Sequence, residues 1–352
     1  IVDNNQTGEL SESLGGLVAL DWLYLSQPNK YIAAPSLAFG GIGGMLPASL
    51  VNLTNLTFLV IAFHEIGGPL PASFDSFAKL QHLELQQLHL TGEIPALNLP
   101  VVANIDLSGN QLTGPIPSLD QVPNLGNLWV NGNNLEGTIP SLHNVSELIL
   151  LYLNDNKLTG PIPSLDQVPK LKLLYLNGNN LEGTIPSLHN VPELKQLYLK
   201  YNQLTGPIPS LDQVPKLEGL DLGGNNLEGT IPSLHNVSEL GLLYLNDNKL
   251  TGPIPSLENN TKILELSLGN NSLSGHLPSF SGLSALTRVY LNDNKLSGPL
   301  PISNFAKHPE LILFIAHNNN FDGELSSTIF NLQNLETVIL SGNEKLSGSL
   351  PP

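Results

Sequence analysis

Two phrases return through the middle of this 352-residue chain at a fixed step. LTGPIPSLDQVP starts at Leu112, Leu158 and Leu204, NNLEGTIPSLHNV starts at Asn133, Asn179 and Asn225, and each recurs every 46 residues. Both reduce to one 23-residue unit, LxxLxLxxNxLxGxIPxLxxVPx. Its Asn falls at Asn110, Asn133, Asn156, Asn179, Asn202, Asn225, Asn248, Asn271 and Asn294. Looser turns put Gly40, His64 and Leu88 in the Asn slot upstream, and Asn319 and Asn343 downstream, for 14 turns spaced 22 to 25 residues apart. A chain that repeats itself at this period stacks unit on unit, so length alone, which suggests about two globular domains, is the wrong guide.

The letters of the unit dictate its local structure. Alternation in LxxLxL sends Leu148, Leu151 and Leu153 inward, and each turn adds one short strand to a parallel sheet at about 4.8 Å per turn. Fourteen strands extend roughly 65 Å. An Asn at the following bend, such as Asn156, carries donors and an acceptor for the backbone of its own and the adjacent turn. Gly160 permits the tight bend, and Pro161 with Pro163 favours an extended polyproline-like or 3-10 segment on the convex side.

These residues resemble the leucine-rich repeat family over roughly Ala34 to Pro352. The ending LxGxIP, as in Leu112 to Pro117 and Leu135 to Pro140, is similar to the plant-type subclass found in receptor ectodomains and polygalacturonase-inhibitor-like hydrolase inhibitors. The resemblance implies an α/β solenoid: an arc with a concave parallel β-sheet and a convex side of 3-10 and polyproline segments. Members of the subclass seal their termini with paired cysteines, and this chain has none. Leu10 to Leu25 reads instead as a short amphipathic helix, giving an N-terminal helical cap over 1–33 and a single solenoid over 34–352. The chain stops midway through a turn at Leu350-Pro351-Pro352, which predicts a trimmed tail or a covered end rather than a polar C-terminal cap.

The outward residues of the strands face any partner. One column reads Val60, Glu84, Asp106, Trp129, Tyr152, Tyr175, Tyr198, Asp221, Tyr244, Ser267, Tyr290, Ile315 and Ile339. It holds five of the eight tyrosines in a chain that is only 6% aromatic. Leu150, Leu173 and Leu242 belong to the neighbouring column. Aromatic rings beside exposed leucine are what the centre of an interface is made of, although stacking of neighbouring rings would also stiffen a sheet.

A second row alternates acid with imidazole: Asp120, His143, Asp166, His189, Asp212, His235 and Glu258. A flat row lacks the converging ligands of a specific metal site, so it reads as exposed ion pairing that favours imidazolium. Glycosylation sequons stand at Asn5, Asn52, Asn55, Asn144, Asn236, Asn259 and Asn270. Asn144 and Asn236 share one convex repeat position, so glycans there would coat the back and leave the aromatic face bare.

Composition narrows the function. The formal charge of −16 argues against nucleic acid and anionic membranes as partners, and no stretch reaches the ~18 apolar residues of a membrane span. The chain starts at Ile1 with no initiator Met and no basic leader, so any signal peptide is expected to have been removed or omitted. No GxSxG, HExxH, GxxxxGK[ST] or CxxC occurs, so neither an enzyme nor a cofactor is expected. The expectation is a secreted, extracellular or cell-wall scaffold that engages a protein or saccharide through the aromatic concave face. The rival is a structural glycoprotein whose copies assemble into an extracellular fibre or coat. Remoter alternatives are a cell-wall hydrolase inhibitor and an ice-binding protein, the latter set back because the sequence shows no flat double row of Thr.

Overall fold

The computed structural model describes residues 8–26, 41–300, 310–325 and 332–348. Gly40, the Asn5 sequon and Leu350 to Pro352 lie outside the described residues. The chain divides into two compact units, Ile1–Asn180 and Leu181–Pro352. Each is a parallel β-solenoid built from turns of roughly 23 residues.

In the first unit the principal sheet takes its strands in chain order: Trp22–Ser26, Phe58–Ala62, His82–Glu84, Asn104–Asp106, Asn127–Trp129, Leu150–Tyr152 and Leu173–Tyr175. In the second the strands are Gln196–Tyr198, Gly219–Asp221, Leu242–Tyr244, Glu265–Ser267, Arg288–Tyr290, Leu313–Ile315 and Thr337–Ile339. Register never slips, since a one-residue shift would turn each central Leu out of the core: Leu128 pairs with Leu151, and Leu220 with Leu243. Leu148, Leu151 and Leu153 are all buried, as the alternation requires.

The asparagine slot works as the sequence predicts. Asn156 Nδ2 donates to Val130 O one turn back at 3.0 Å and to Leu153 O of its own turn at 3.1 Å. Its Oδ1 accepts from Leu135 N–H at 3.0 Å. His64, in the same slot, keeps one of these bonds by accepting from Ile42 N–H through Nδ1 at 3.3 Å. Burial lowers its pKa, because the charged imidazolium is disfavoured there. Leu88 is buried in the slot with no amide to offer.

The convex backbone closes in 3-10-like steps, such as Leu148 N–H to Val145 O at 3.0 Å. Beyond the asparagine bend the chain also forms a second parallel sheet that the sequence reading did not anticipate. In the first unit it includes Gly67–Pro69, His89–Glu93 and Gln111–Thr113. In the second it runs from Thr205–Gly206 through Asn226–Thr230, Lys249–Gly252 and Ser272–His276 to Lys345–Ser347. Gly160, at the centre of the strand Thr159–Pro161, stands in the left-handed region at φ +72°, where its missing Cβ leaves room for the Thr138 methyl.

The expected amphipathic helix over Leu10 to Leu25 is absent. Glu12–Gly16 is a single 3-10 turn, its next-turn contact made by Glu12 carboxylate oxygens accepting from Ala48 and Ser49 N–H. Trp22–Ser26 is a strand of the principal sheet. The competing signal was period-two alternation: Leu23 and Leu25 turn inward while Trp22 and Tyr24 face out, 61% and 45% exposed. No helix among the described residues is long and apolar enough to cross a membrane.

Candidate functional site

Strand alternation fixes which side chains reach the outer face of each principal sheet. In the first unit Leu128, Leu151 and Leu174 point into the core, which leaves Trp129, Tyr152 and Tyr175 outward and half-buried in one register row. The Trp129 and Tyr152 rings meet edge to face with centroids 6.1 Å apart. Tyr152 and Tyr175 stack at 4.3 Å with planes 9° apart. Leu150 and Leu173, register partners on the same strands, lie half-buried beside them.

The aromatics of the second unit are placed differently. Tyr198 lies across the next strand at Gly219, where an added Cβ would come within 2.8 Å of its hydroxyl. Tyr244 donates through Oη to Glu265 Oε2 at 2.6 Å, and Arg288 pairs with the other oxygen of Glu265. Burial raises the Tyr244 pKa, and the Glu265 carboxylate raises it further, so the phenol stays protonated. Tyr290 and Leu242 are outward and half-buried on their own strands. In the first unit three of the six aromatics touch in one row, and in the second Tyr198 lies over Gly219 while Tyr244 is bonded to Glu265.

Four residues outside the sequence-derived set complete the first unit's face. Trp22 and Phe58 have ring centroids 4.4 Å apart, and Phe58 stacks on His82 at 4.2 Å with planes 11° apart. Tyr24 stands on the strand that carries Trp22. The alternation in Trp22-Leu23-Tyr24-Leu25 was the available signal. From His82 the row continues in amides: Asn104 Nδ2 lies 2.9 Å from His82 Nδ1, and Asn127 Nδ2 donates to Asn104 Oδ1. Beside it, Glu84 and Asp106 are register partners on adjacent strands, with Trp129 next in register after Asp106. Burial raises both carboxyl pKa values, and for Glu84 the neighbouring Asp106 charge adds to the rise. Burial lowers that of His82.

Beyond the asparagine bends stand exposed Thr pairs that the expectation of no flat double row of Thr passed over. Thr138 and Thr159 form a parallel bridge in the first unit, and Thr184 with Thr205 another in the second. Thr230 and Thr251 pair likewise. The hydroxyls of Thr159, Thr205 and Thr251 each donate to a carbonyl of the preceding turn, to Gly137, Gly183 and Gly229, at 3.2 to 3.3 Å. The signal was hidden because Thr sits at two different places in alternate repeats, LTGPIP and LEGTIP, which the register brings side by side.

Residues 170–190, 193–213 and 216–236 each match the Leucine Rich Repeat family. Among solved structures, the PEPR1–AtPEP1 complex is 32% identical at a TM-score of 0.88, covering 97% of this chain and 47% of that one. The Arabidopsis receptor kinase HAESA, in complex with the peptide hormone IDA and the co-receptor SERK1, is 30% identical at a TM-score of 0.76, covering 97% and 65%. The repeats are leucine-rich repeats of the plant type. A plant ice-binding protein is 27% identical at a TM-score of 0.55, covering 70% of this leucine-rich-repeat chain and 78% of its own. The chain spans about half the length of the first receptors it matches, 47% and 59%. No curated protein sequence matches it.

The edges of the leucine-rich-repeat turns carry the remaining predicted features. In the acid–imidazole row His143 Nε2 stands 3.7 Å from Asp120 Oδ1, and His143 and His189 each hold Nδ1 2.8 Å from the Ser two residues before. His235 Nδ1 is 2.8 Å from Asn259 Nδ2. Local Ser and Asn contacts accompany this pairing along the row. Among the described residues no three His, Asp or Glu side chains converge as metal ligands. Of the sequons, Asn52, Asn144, Asn236, Asn259 and Asn270 are exposed. Asn55 is half-buried, its Nδ2 donating to Val18 O at 2.9 Å and its Oδ1 accepting from Lys79 Nζ at 2.7 Å.

Proposed function

We propose that this protein is a non-enzymatic extracellular scaffold that binds a linear segment of another protein across the principal sheet of its first unit. The observation that carries this reading is the continuous row Trp129, Tyr152 and Tyr175, half-exposed and preset by edge-to-face and stacked contacts. Rings held in place lose little side-chain freedom when a partner covers them, which is why such rows supply binding energy. Seven strands span about 29 Å, the length of roughly nine extended residues. PEPR1–AtPEP1 and HAESA with IDA and SERK1 support the class of partner. In this reading residues 1–33 cap one solenoid over 34–352, and glycans on Asn144 and Asn236 lie away from the sheet face, whereas Asn270 stands at its margin. On the second unit's own sheet face Tyr198, Tyr244, Tyr290 and Leu242 are candidate contacts in the same reading.

The test is selection of linear twelve-residue peptides on the native chain from a random display library, followed by affinity measurement with Tyr152→Ala/Tyr175→Ala. Selected peptides should lose several-fold or more in affinity while the variant keeps its circular dichroism. Selection of no peptide, or equal affinity for the variant, overturns the reading. In that event a sedimentation series and a glycan array test the fibre and saccharide alternatives.

A second reading rests on the Thr pairs. The Thr138 and Thr184 methyls pack against Gly160 and Gly206 of the following turns, and the partnered hydroxyls are bonded to backbone. The result is a fixed, repeating array of methyl and hydroxyl groups, and similarity to a plant ice-binding protein supports ice as its ligand. Ice-recrystallisation assays on the native chain and on Thr184→Lys/Thr205→Lys decide it. Inhibition that both forms share, or none from either, rejects this second surface.

A further inference from the structure

Charge is distributed unevenly over the first unit's sheet face. Glu84 and Asp106 sit in register on neighbouring strands with no Lys or Arg ion-pair partner among the described residues. Asp106 accepts from Ser108 N–H and Oγ, and Glu84 has only the distant His82 Nδ1 at 3.8 Å. His82 cannot neutralise them, because burial favours its uncharged form. The contrast with the second unit is direct: there the sheet-face Glu265 is matched by Arg288 and Tyr244. Two half-buried carboxylates left without a cation are costly in the free protein and become favourable once a cation arrives.

Their surroundings specify which cation. Trp129 follows Asp106 in register, about 5 Å on, and the Phe58–His82 stack lies one column over. A guanidinium presents a flat face to such rings and a fork of donors to carboxylates, whereas an ammonium is a strongly hydrated point charge that fits the rings less well. Two further acceptors, Gln86 Oε1 and Asn131 Oδ1, are buried without a hydrogen-bond donor two residues past the ends of the strands that Glu84 and Trp129 close. The row is rich in acceptors and poor in donors.

We infer that the Glu84–Asp106–Trp129 row docks an arginine side chain of a linear, basic peptide, and that this contact selects the ligand. The inference rests on the peptide-binding reading above and adds the partner's charge and the residue that anchors it. Binding should also weaken on mild acidification, because both carboxyl groups take up protons at higher pH than ordinary carboxylates.

The test uses three fluorescein-labelled eight-residue peptides in which glycine alternates with arginine, lysine or glutamine, titrated by anisotropy at two salt concentrations. The arginine peptide should bind tightest, with affinity falling about tenfold or more in Glu84→Gln/Asp106→Asn and within twofold of native in Glu136→Gln/Glu182→Gln, whose carboxylates are exposed off this face. Equal losses in the two double variants would mean that net charge alone attracts the peptide, and unchanged affinity in the first would mean that the row is not used. Either result overturns the inference, as does lysine binding as tightly as arginine. The display-selected peptides separate the two levels. If they lose binding with Tyr152→Ala/Tyr175→Ala but ignore Glu84→Gln/Asp106→Asn, the face binds peptides and the arginine anchor is wrong. If no peptide binds the native chain, the underlying reading has failed as well. Thermal melts verify folding, and Glu84→Gln/Asp106→Asn should be at least as stable as native because each change removes a poorly solvated charge.

Discussion

Asn133 Nδ2 donates a 3.0 Å hydrogen bond to the carbonyl oxygen of Leu107, one turn back in the solenoid. The same side chain accepts from Leu112 N–H of that preceding turn at 3.0 Å and donates to Val130 O of its own turn at 3.0 Å, so one amide closes its own bend and fastens it to its neighbour. Asn156 repeats the arrangement with Val130 and Leu135. Removing that amide leaves several buried backbone groups unpaired, each worth about 1–3 kcal/mol. Asn156→Ala should lower unfolding free energy by about 3 kcal/mol in urea titration at an unchanged slope. A loss under about 0.5 kcal/mol would mean that water replaces the amide readily.

His64 makes the stability of the first unit sensitive to pH. Its folded pKa lies below the ordinary value near 6.5, so the neutral ring's contribution is present above that value and is lost as pH falls from about 6.5 through the folded pKa. His64→Asn supplies the amide used in other turns and carries no titrating group. Melting curves between pH 7 and 5 should show a shallower loss for this variant than for the native chain; parallel curves would place the titrating group elsewhere.

Asn260 occupies a position held by Val237 one turn earlier and is fully buried. Its Nδ2 donates to Leu234 O and Val237 O at 3.0 and 2.9 Å, while Oδ1 has no partner. Desolvating that oxygen offsets the gain from the two donated bonds. Asn260→Val should be neutral or more stable by up to about 1 kcal/mol, read as a raised melting temperature. The Asn259 sequon survives the change. A drop of several degrees would show that the donated bonds dominate.

Glycopeptide mass spectrometry on protein from its natural source should find Asn144 and Asn236 occupied and Asn55 bare. The first two are exposed, with only loose contacts of 3.1 and 3.3 Å to Asp120 and Asp212. At Asn55 a glycan would have to displace the bond to Val18. Glycan at Asn55, or none at the other two, contradicts this placement.

What the sequence made legible was whatever repeats. Leu151, Asn156 and Tyr152 follow from period and alternation because a solenoid turn uses the same position for the same task. Gly160 was readable for the same reason. The second sheet was not, since its strands contain Gly and Pro that read as breakers, and the pairing depends on left-handed glycines bringing Thr138 level with Thr159. The strand Trp22–Ser26 was misread because its leucines also fit a helical spacing. The acidic pair stood in the aromatic column as two exceptions, and only register showed Glu84 and Asp106 as neighbours with no basic counterpart.

The substitutions at His64 and Leu88 make the asparagine ladder of the first unit unequal along its length. From Asn110 to Asn179 every slot carries an amide clamp, whereas the two preceding turns have one imidazole bond and none. A solenoid held by contacts between adjacent turns opens one turn at a time from where those contacts are fewest. Amide hydrogens around Ile42 and Ile66 should therefore exchange with solvent well before those around Leu135 and Leu158, so the unit frays from its N-terminal side while the amide-clamped turns remain closed.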